Sequence, residues 1–201
     1  MYTVDKIARS APLFTDAIAL LRYSLSQAPR KGLVLEFGIG SGFTTNFLAD
    51  DADIIFGFDS FYGLPEHWNS HNLKGKFSRQ GVPPKLPDNV LLVVGMFEHT
   101  VASFLAERRE QIAFAHVDCD LYSSTRTVLW AMQPYLKPGA VLNFNEFSNY
   151  PQAHLHEAKA FQEFCDEFSW LPRGIGYTDM ECGPAAFFLE KTSKRRDVQG
   201  R

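Results

Sequence analysis

An open, doubly wound α/β sheet is the fold class this sequence predicts, and three observations predict it. Short apolar runs alternate with amphipathic stretches of helical period. The first of these runs, Leu33-Val34-Leu35, leads straight into a turn with glycine at every second position. Polar residues suited to ligand binding fall at the ends of the runs, where open α/β sheets bind their ligands. No internal repeat or break in composition divides the chain, so residues 1–190 read as one domain.

Residues 1–30 read as an N-terminal helical segment. Within it Leu13, Phe14, Ala17, Ile18, Leu21 and Leu25 recur at roughly helical spacing and predict a helix over 13–25, ending before Pro29. The stretch 31–48 comes next and organises the rest. Glu36 follows the apolar run, where a lone carboxylate is costly unless something binds it. Gly38, Gly40 and Gly42, with Ser41 among them, permit positive φ and let a ligand lie against bare backbone. A helix begins near Phe43. Strand, glycine turn and helix in that order make a nucleotide-type cofactor site. The dinucleotide fingerprint G-x-G-x-x-G would need glycine where Phe43 stands, and Glu36 would repel a pyrophosphate. A carboxylate there suits a cationic amino group, so S-adenosylmethionine is favoured over NAD. A glycine turn that binds nothing is the bland alternative.

Residues 54–58 predict a second strand, closed by Asp59 and Ser60. Asp59 follows Gly38 by about 20 residues, the separation of an acid that accepts from a ribose diol. Both candidate cofactors carry an adenosine ribose, so Asp59 does not choose between them; an exposed loop aspartate is the alternative. Residues 60–89 lack periodicity and hold Phe61, Tyr62, Trp68 and Phe77, which suits a lid or substrate loop. His67 and His71 in that loop are equally suited to solvent and to function.

A third strand over 90–94 precedes a helix over 100–109, with Thr100 as its N-cap. A fourth strand over 112–117 delivers Asp118-Cys119-Asp120. Side chains two apart share a face, about 6–7 Å apart. Two such carboxylates repel unless a cation or a shared proton relieves them. In the plainer reading both merely cap the helix that starts near Ser123 and runs to about Tyr135. Pro138-Gly139 turns the chain into a fifth strand over 140–144, ending at Asn145-Glu146. Asp118, Asn145 and Glu146 offer only oxygen ligands, the set Mg²⁺ or Ca²⁺ prefers. Residues 152–168 predict an amphipathic helix with Phe161, Phe164 and Phe168 as core stripe. His154 and His156 do not share a helix face, and Ala160 stands where a zinc protease needs its second histidine. A final strand covers 185–189, and a weaker one lies near 175–177.

The totals bound the answer further. Two hundred and one residues, 45% hydrophobic and 21% charged, suit one globular domain, and 18 phenylalanines predict an aromatic core. A net charge of −3 gives no electrostatic case for nucleic acid. Residues 191–201 hold five basic residues against one acid and read as a frayed basic tail rather than an anion-binding arm. Cys119, Cys165 and Cys182 form no C-x-x-C pair, which argues against a zinc site or disulfide framework. No run approaches the about 20 apolar residues of a membrane helix, and no signal peptide opens the chain, so a cytoplasmic location is expected.

Taken together, the motifs V-L-E-F-G-I-G-S-G, G-F-D-S-F-Y-G-L-P, H-V-D-C-D-L-Y-S-S-T and P-G-A-V-L-N-F-N-E-F resemble the class I S-adenosylmethionine-dependent methyltransferases, and among them the macrocin O-methyltransferase (TylF-like) group. The resemblance spans roughly residues 31–165. It implies a Rossmann-like, seven-stranded sheet, mostly parallel with an antiparallel last strand, and methyl transfer to a hydroxyl of a small molecule, as on sugars. It implies that Glu36, Gly38, Gly40, Ser41 and Gly42 hold the methionine portion, and Asp59 with Ser60 the ribose. It further implies that Asp118, Asn145 and Glu146 bind Mg²⁺, that Asp120 is the general base, and that chains pair as homodimers. Asn145 departs from the group, which usually has Asp there. That leaves two carboxylates in the metal set, so metal-assisted and metal-free transfer are both compatible with the sequence. Two rival readings stand beside the O-methyltransferase: an NAD-dependent enzyme on the same sheet, and a cofactor-binding protein that has lost turnover.

Overall fold

The computed structural model describes residues 3–191. In chain order the elements are α1 (Val4–Arg9), β1 (Leu13–Phe14), α2 (Ala17–Gln27), β2 (Leu33–Phe37), α3 (Phe43–Asp51), β3 (Ile55–Asp59), β4 (Val90–Val94), α4 (Phe97–Arg108), β5 (Ile112–Val117), α5 (Tyr122–Met132), β6 (Leu136–Ser148), α6 (Glu157–Phe168), β7 (Trp170–Thr178) and β8 (Gly183–Lys191). One sheet collects all the strands in the order β1-β7-β8-β6-β5-β2-β3-β4. Every pairing is parallel except those of β8, which runs antiparallel to both β6 and β7. The doubly wound sheet with an antiparallel last strand is therefore present.

It has eight strands rather than seven. Residues 13–25 are not one helix, because Leu13 and Phe14 pair in parallel with Tyr177 and Thr178. Asp16 then caps α2, its Oδ1 accepting the Ala19 amide at 2.6 Å, so the helix cannot start earlier. Other boundaries moved for local reasons. Thr100 caps nothing: α4 starts at Phe97, and the Thr100 hydroxyl donates to the Met96 carbonyl inside the helix. Pro138-Gly139 does not interrupt the chain between strands, since β6 runs 13 residues through it. A register shift between Leu136 and Val141 opposite β5 absorbs the pair as a bulge. The helix expected over 152–168 is broken at His156, whose φ of −117° and ψ of −121° are not helical. A short 3₁₀ turn, Ala153–Leu155, precedes it. The strand near 175–177 is a full element, β7. Lys191 belongs to β8, and the remainder of the expected basic tail lies outside the described residues.

The core is aromatic, as the composition predicts. Phe37, Phe58, Phe144, Phe147, Phe161 and Phe187 are all buried in one cluster. Phe144 packs at a tilt against Phe161, 4.7 Å between ring centroids, and Phe161 against Phe187 at 4.9 Å, which fastens α6 to the sheet. A second cluster on the other face packs Leu20, Leu21 and Leu25 of α2 against Phe114 and Val141. Both faces being covered, β5 is buried along its whole length. No helix among the described residues is long and apolar enough to cross a membrane.

Candidate active site

A cavity of about 800 Å³ opens above the carboxyl ends of β2, β3, β5 and β6, a size within the usual range for small-molecule sites. The glycine turn forms one wall. Gly38 has φ 91°, and a Cβ on it would lie 1.9 Å from the carbonyl oxygen of Asp118. The turn is thus pressed against the end of β5, which only glycine allows. Gly40 is the reverse case, with φ 51° and no heavy atom within 4 Å of where its Cβ would stand. Its bare backbone lines the cavity as an open cradle. Gly42 lies outside the lining and packs against Leu86 of the 60–89 loop.

Asp59 fixes the shape of this turn. Its Oδ2 accepts the amides of Ile39 at 2.9 Å and Gly40 at 2.8 Å, and its Oδ1 accepts that of Phe61 at 2.7 Å. It lines the cavity together with Ser41 and Ser60. Glu36 lies deeper and is not part of the lining. Its Oε1 accepts from the Thr44 hydroxyl at 2.7 Å and meets His116 Nδ1 at 3.0 Å, while its buried Oε2 has no partner. Burial alone would lower the His116 pKa, but the hydrogen bond and charge of Glu36 raise it on balance.

The adjoining wall, at the ends of β5 and β6, is acidic. One carboxylate oxygen from each of Asp118, Asp120 and Glu146 lies within 4.8 Å of the others. Burial is the main cause that pushes Asp118 up to about 6, and the nearby His116 charge opposes it. Burial and the charge of Asp118 lift Asp120 and Glu146 well above the ordinary carboxyl range. The three groups therefore need protons or a cation to coexist. Asp120 has φ 58°, and the Leu121 amide bonds to the Cys119 carbonyl across it, a tight turn that aims the side chain inward at a cost of about 1–3 kcal/mol. Asn145 also lines the cavity, but its Nδ2 donates to Glu146 Oε1 at 2.6 Å. Glu146 Oε2 is buried without a partner.

Sequence reasoning missed three participants. His116 lies on β5 directly across from Glu36 in the parallel register. Its position two residues before Asp118 was a usable signal. Asn143, next to His116 in the β5–β6 register, donates to the Ser24 hydroxyl at 2.9 Å and reaches the cavity. Glu157 is wholly buried beneath the acidic wall; it lies on the same helical stripe as Ala160, Phe161 and Phe164, which a charged residue should not share. The two loop histidines do not reach the cavity. His67 Nδ1 accepts the Lys74 amide at 2.9 Å, and His71 Nδ1 faces the Ser70 hydroxyl, so both serve the loop's own structure.

The donor set fits both groups that the sequence implies. An unpartnered carboxylate oxygen on Glu36, buried two residues before the glycine turn whose open backbone lines the cavity, suits a ligand with an ammonium group and a nucleoside. Three converging carboxylates, one with an orphan oxygen, suit a hard cation. An open, mostly parallel sheet carrying these groups at its carboxyl end is the architecture of class I S-adenosylmethionine-dependent methyltransferases.

Residues 35–147, more than half of the chain, match the family model of a methyltransferase domain, and the chain belongs to that family. Among solved structures, the calicheamicin methyltransferase CalS11 is similar at 24% identity, over 86% of this chain and 77% of that one, with a TM-score of 0.65. The O-methyltransferase NovP is similar at 18% identity, over 85% and 78%, with a TM-score of 0.63. The N-methyltransferase NodS from Bradyrhizobium japonicum is similar at 17% identity, over 87% and 94%, with a TM-score of 0.51. At such identities the likeness is one of fold. No curated protein sequence matches the chain.

Proposed function

We propose that this methyltransferase is an O-methyltransferase of the macrocin type, acting on a hydroxyl of a small molecule such as a sugar or glycoside. The observation that carries this reading is the meeting of Asp118, Asp120 and Glu146 in the same cavity as the glycine cradle. Two of the similar structures point the same way: one is described as a TDP-rhamnose 3'-O-methyltransferase and the other as an O-methyltransferase. S-adenosylmethionine, when bound, supplies an electrophilic methyl on a positively charged sulfur. Glu36 offers its free Oε2 to the cofactor's amino group, Gly38, Gly40 and Ser41 offer backbone, and Asp59 with Ser60 faces the ribose. Asp120 takes the proton that the acceptor hydroxyl loses as its oxygen gains the methyl group. Its burial suits that role, because a carboxyl raised above the ordinary range is, once ionised, a stronger base than an ordinary aspartate.

Asp118 and Glu146, with the carbonyl oxygen of Asn145, are the groups that would hold Mg²⁺, which supplies Lewis acidity toward the acceptor oxygen. The 60–89 loop serves as the lid. Trp68, buried against Leu121 and Tyr150, anchors it, and Leu64, Pro65 and Phe77 of the loop line the cavity. The test is titration with S-adenosylhomocysteine and NAD by calorimetry, followed by a screen of hydroxylated small molecules for S-adenosylhomocysteine release with and without chelator. Binding of the first ligand and turnover with a glycoside are expected. Tight binding with no turnover on any acceptor would instead favour a protein that has lost catalysis.

A further inference from the structure

Glu157 has no role in the reaction sketched above, yet both of its carboxylate oxygens are held by backbone amides of other elements. It opens α6, is wholly buried, and aims both oxygens at backbone. Oε1 accepts the Cys119 amide at 3.1 Å and Oε2 accepts the Glu146 amide at 3.0 Å. Cys119 is the residue between Asp118 and Asp120. One carboxylate from a third element therefore joins the two strand ends that carry the acid trio.

Among the described residues no backbone pairing does this. The last registered pair between β5 and β6 is Val117 with Phe144, so the ladder stops before either acidic segment begins. The peptide around Cys119 is also strained. Its carbonyl closes the tight turn across Asp120, and a left-handed Asp persists only where its surroundings over-determine it. Glu157 fixes the other side of that residue. A buried carboxylate is expensive to keep, and an apolar side chain on this stripe would serve packing alone more cheaply.

We infer that Glu157 is a positioning residue for methyl transfer: by bridging the Cys119 and Glu146 amides it sets the separation of Asp118, Asp120 and Glu146. The inference rests on the methyl-transfer reading given above. Glu157→Gln preserves shape but turns an NH₂ toward one of the two amides; Glu157→Asp preserves the charge but is one methylene too short to span both. For each variant the crystal structure with S-adenosylhomocysteine, the affinity for that ligand by calorimetry, and kcat and KM with an acceptor of the wild-type enzyme are measured. The carboxylate oxygens are expected to separate beyond the native 4.8 Å. Ligand affinity and KM should stay close to wild type, while kcat falls about 100-fold, the usual consequence of a displacement near 1 Å.

Carboxylates that keep their native separation in the variant, or ligand affinity that falls in step with kcat, would overturn the inference. If wild-type protein methylates no acceptor, the methyl-transfer reading fails separately, and the crystal structures still decide whether the bridge sets the trio. Should the Gln variant not fold, the Asp variant carries the same comparison.

Discussion

Gly38 and Gly40 divide two jobs of one turn, and replacing each by alanine separates them. In Gly38→Ala the new methyl would lie 1.9 Å from a backbone oxygen of Asp118, so relief requires moving β5 itself. Overpacking of this kind costs about 1–3 kcal/mol, and a positive φ on alanine adds about 1–2 kcal/mol. The sum, about 2–5 kcal/mol, is a large share of the about 5–15 kcal/mol that holds a domain folded. In Gly40→Ala only the φ term applies, about 1–2 kcal/mol, because nothing lies within 4 Å of the added atom. Its methyl stands instead in the cavity. Urea unfolding and S-adenosylhomocysteine calorimetry on both variants give the comparison. Gly38→Ala should be the less stable by at least about 1 kcal/mol, whereas Gly40→Ala should fold and lose about tenfold or more in affinity, equivalent to about 1.4 kcal/mol. Wild-type affinity in Gly40→Ala would refute the placement of the cofactor against this cradle. Near-wild-type stability in Gly38→Ala would refute the close approach of turn and strand.

Other outcomes follow from single contacts. Asn145→Asp replaces an amide that donates to Glu146 at 2.6 Å by a fourth carboxyl beside Asp118, Asp120 and Glu146, so the metal-free protein should melt lower while Mg²⁺ binds more tightly by calorimetry; unchanged Mg²⁺ affinity would count against Asn145 as a ligand. His116→Ala leaves Glu36 buried without its 3.0 Å partner, and denaturant unfolding should show a loss of about 3–5 kcal/mol. Removing the exposed Arg9–Asp5 pair should change stability by less than about 1 kcal/mol. The His156 ring packs edge-on to Trp68, and burial lowers its pKa below 6.5. A histidine depressed in the folded state contributes stability that is present above pH 6.5 and lost as pH falls through the folded value. Hydrogen-exchange protection in the loop around Trp68, corrected for the intrinsic pH dependence of amide exchange, should therefore fall on acidification, and His156→Asn should flatten that fall.

Much of the site could be read from the chain because strand ends and turn chemistry are local. The apolar run before Gly38, the alternating glycines and the acids after 58, 117 and 144 all lie where the sheet delivers them. What could not be read depends on distant partners. Leu13 and Phe14 look helical until Tyr177 and Thr178 pair with them, and no local signal announces an edge that forms more than 160 residues later. Pro138-Gly139 looks like a turn because the bulge that tolerates it is a property of the β5–β6 register. His116 becomes the partner of Glu36 for the same reason, since register decides which residues of two parallel strands face each other. Glu157 was legible in principle, as a charge on a core stripe, but its meaning required knowing which amides lay beneath it.

The pairing of β2 with β5 has a consequence for how the protein is made. Glu36 leaves the ribosome 80 residues ahead of His116, and the edge of β2 away from β3 stays unpaired until β5 arrives. Until then the nascent chain carries a naked acid on an unfinished sheet edge, where pairing with another chain is a hazard. Strand insertion across such a span is slow, so synthesis paused between residues 60 and 110 would expose this half-built edge for longest, and chaperone capture should peak there.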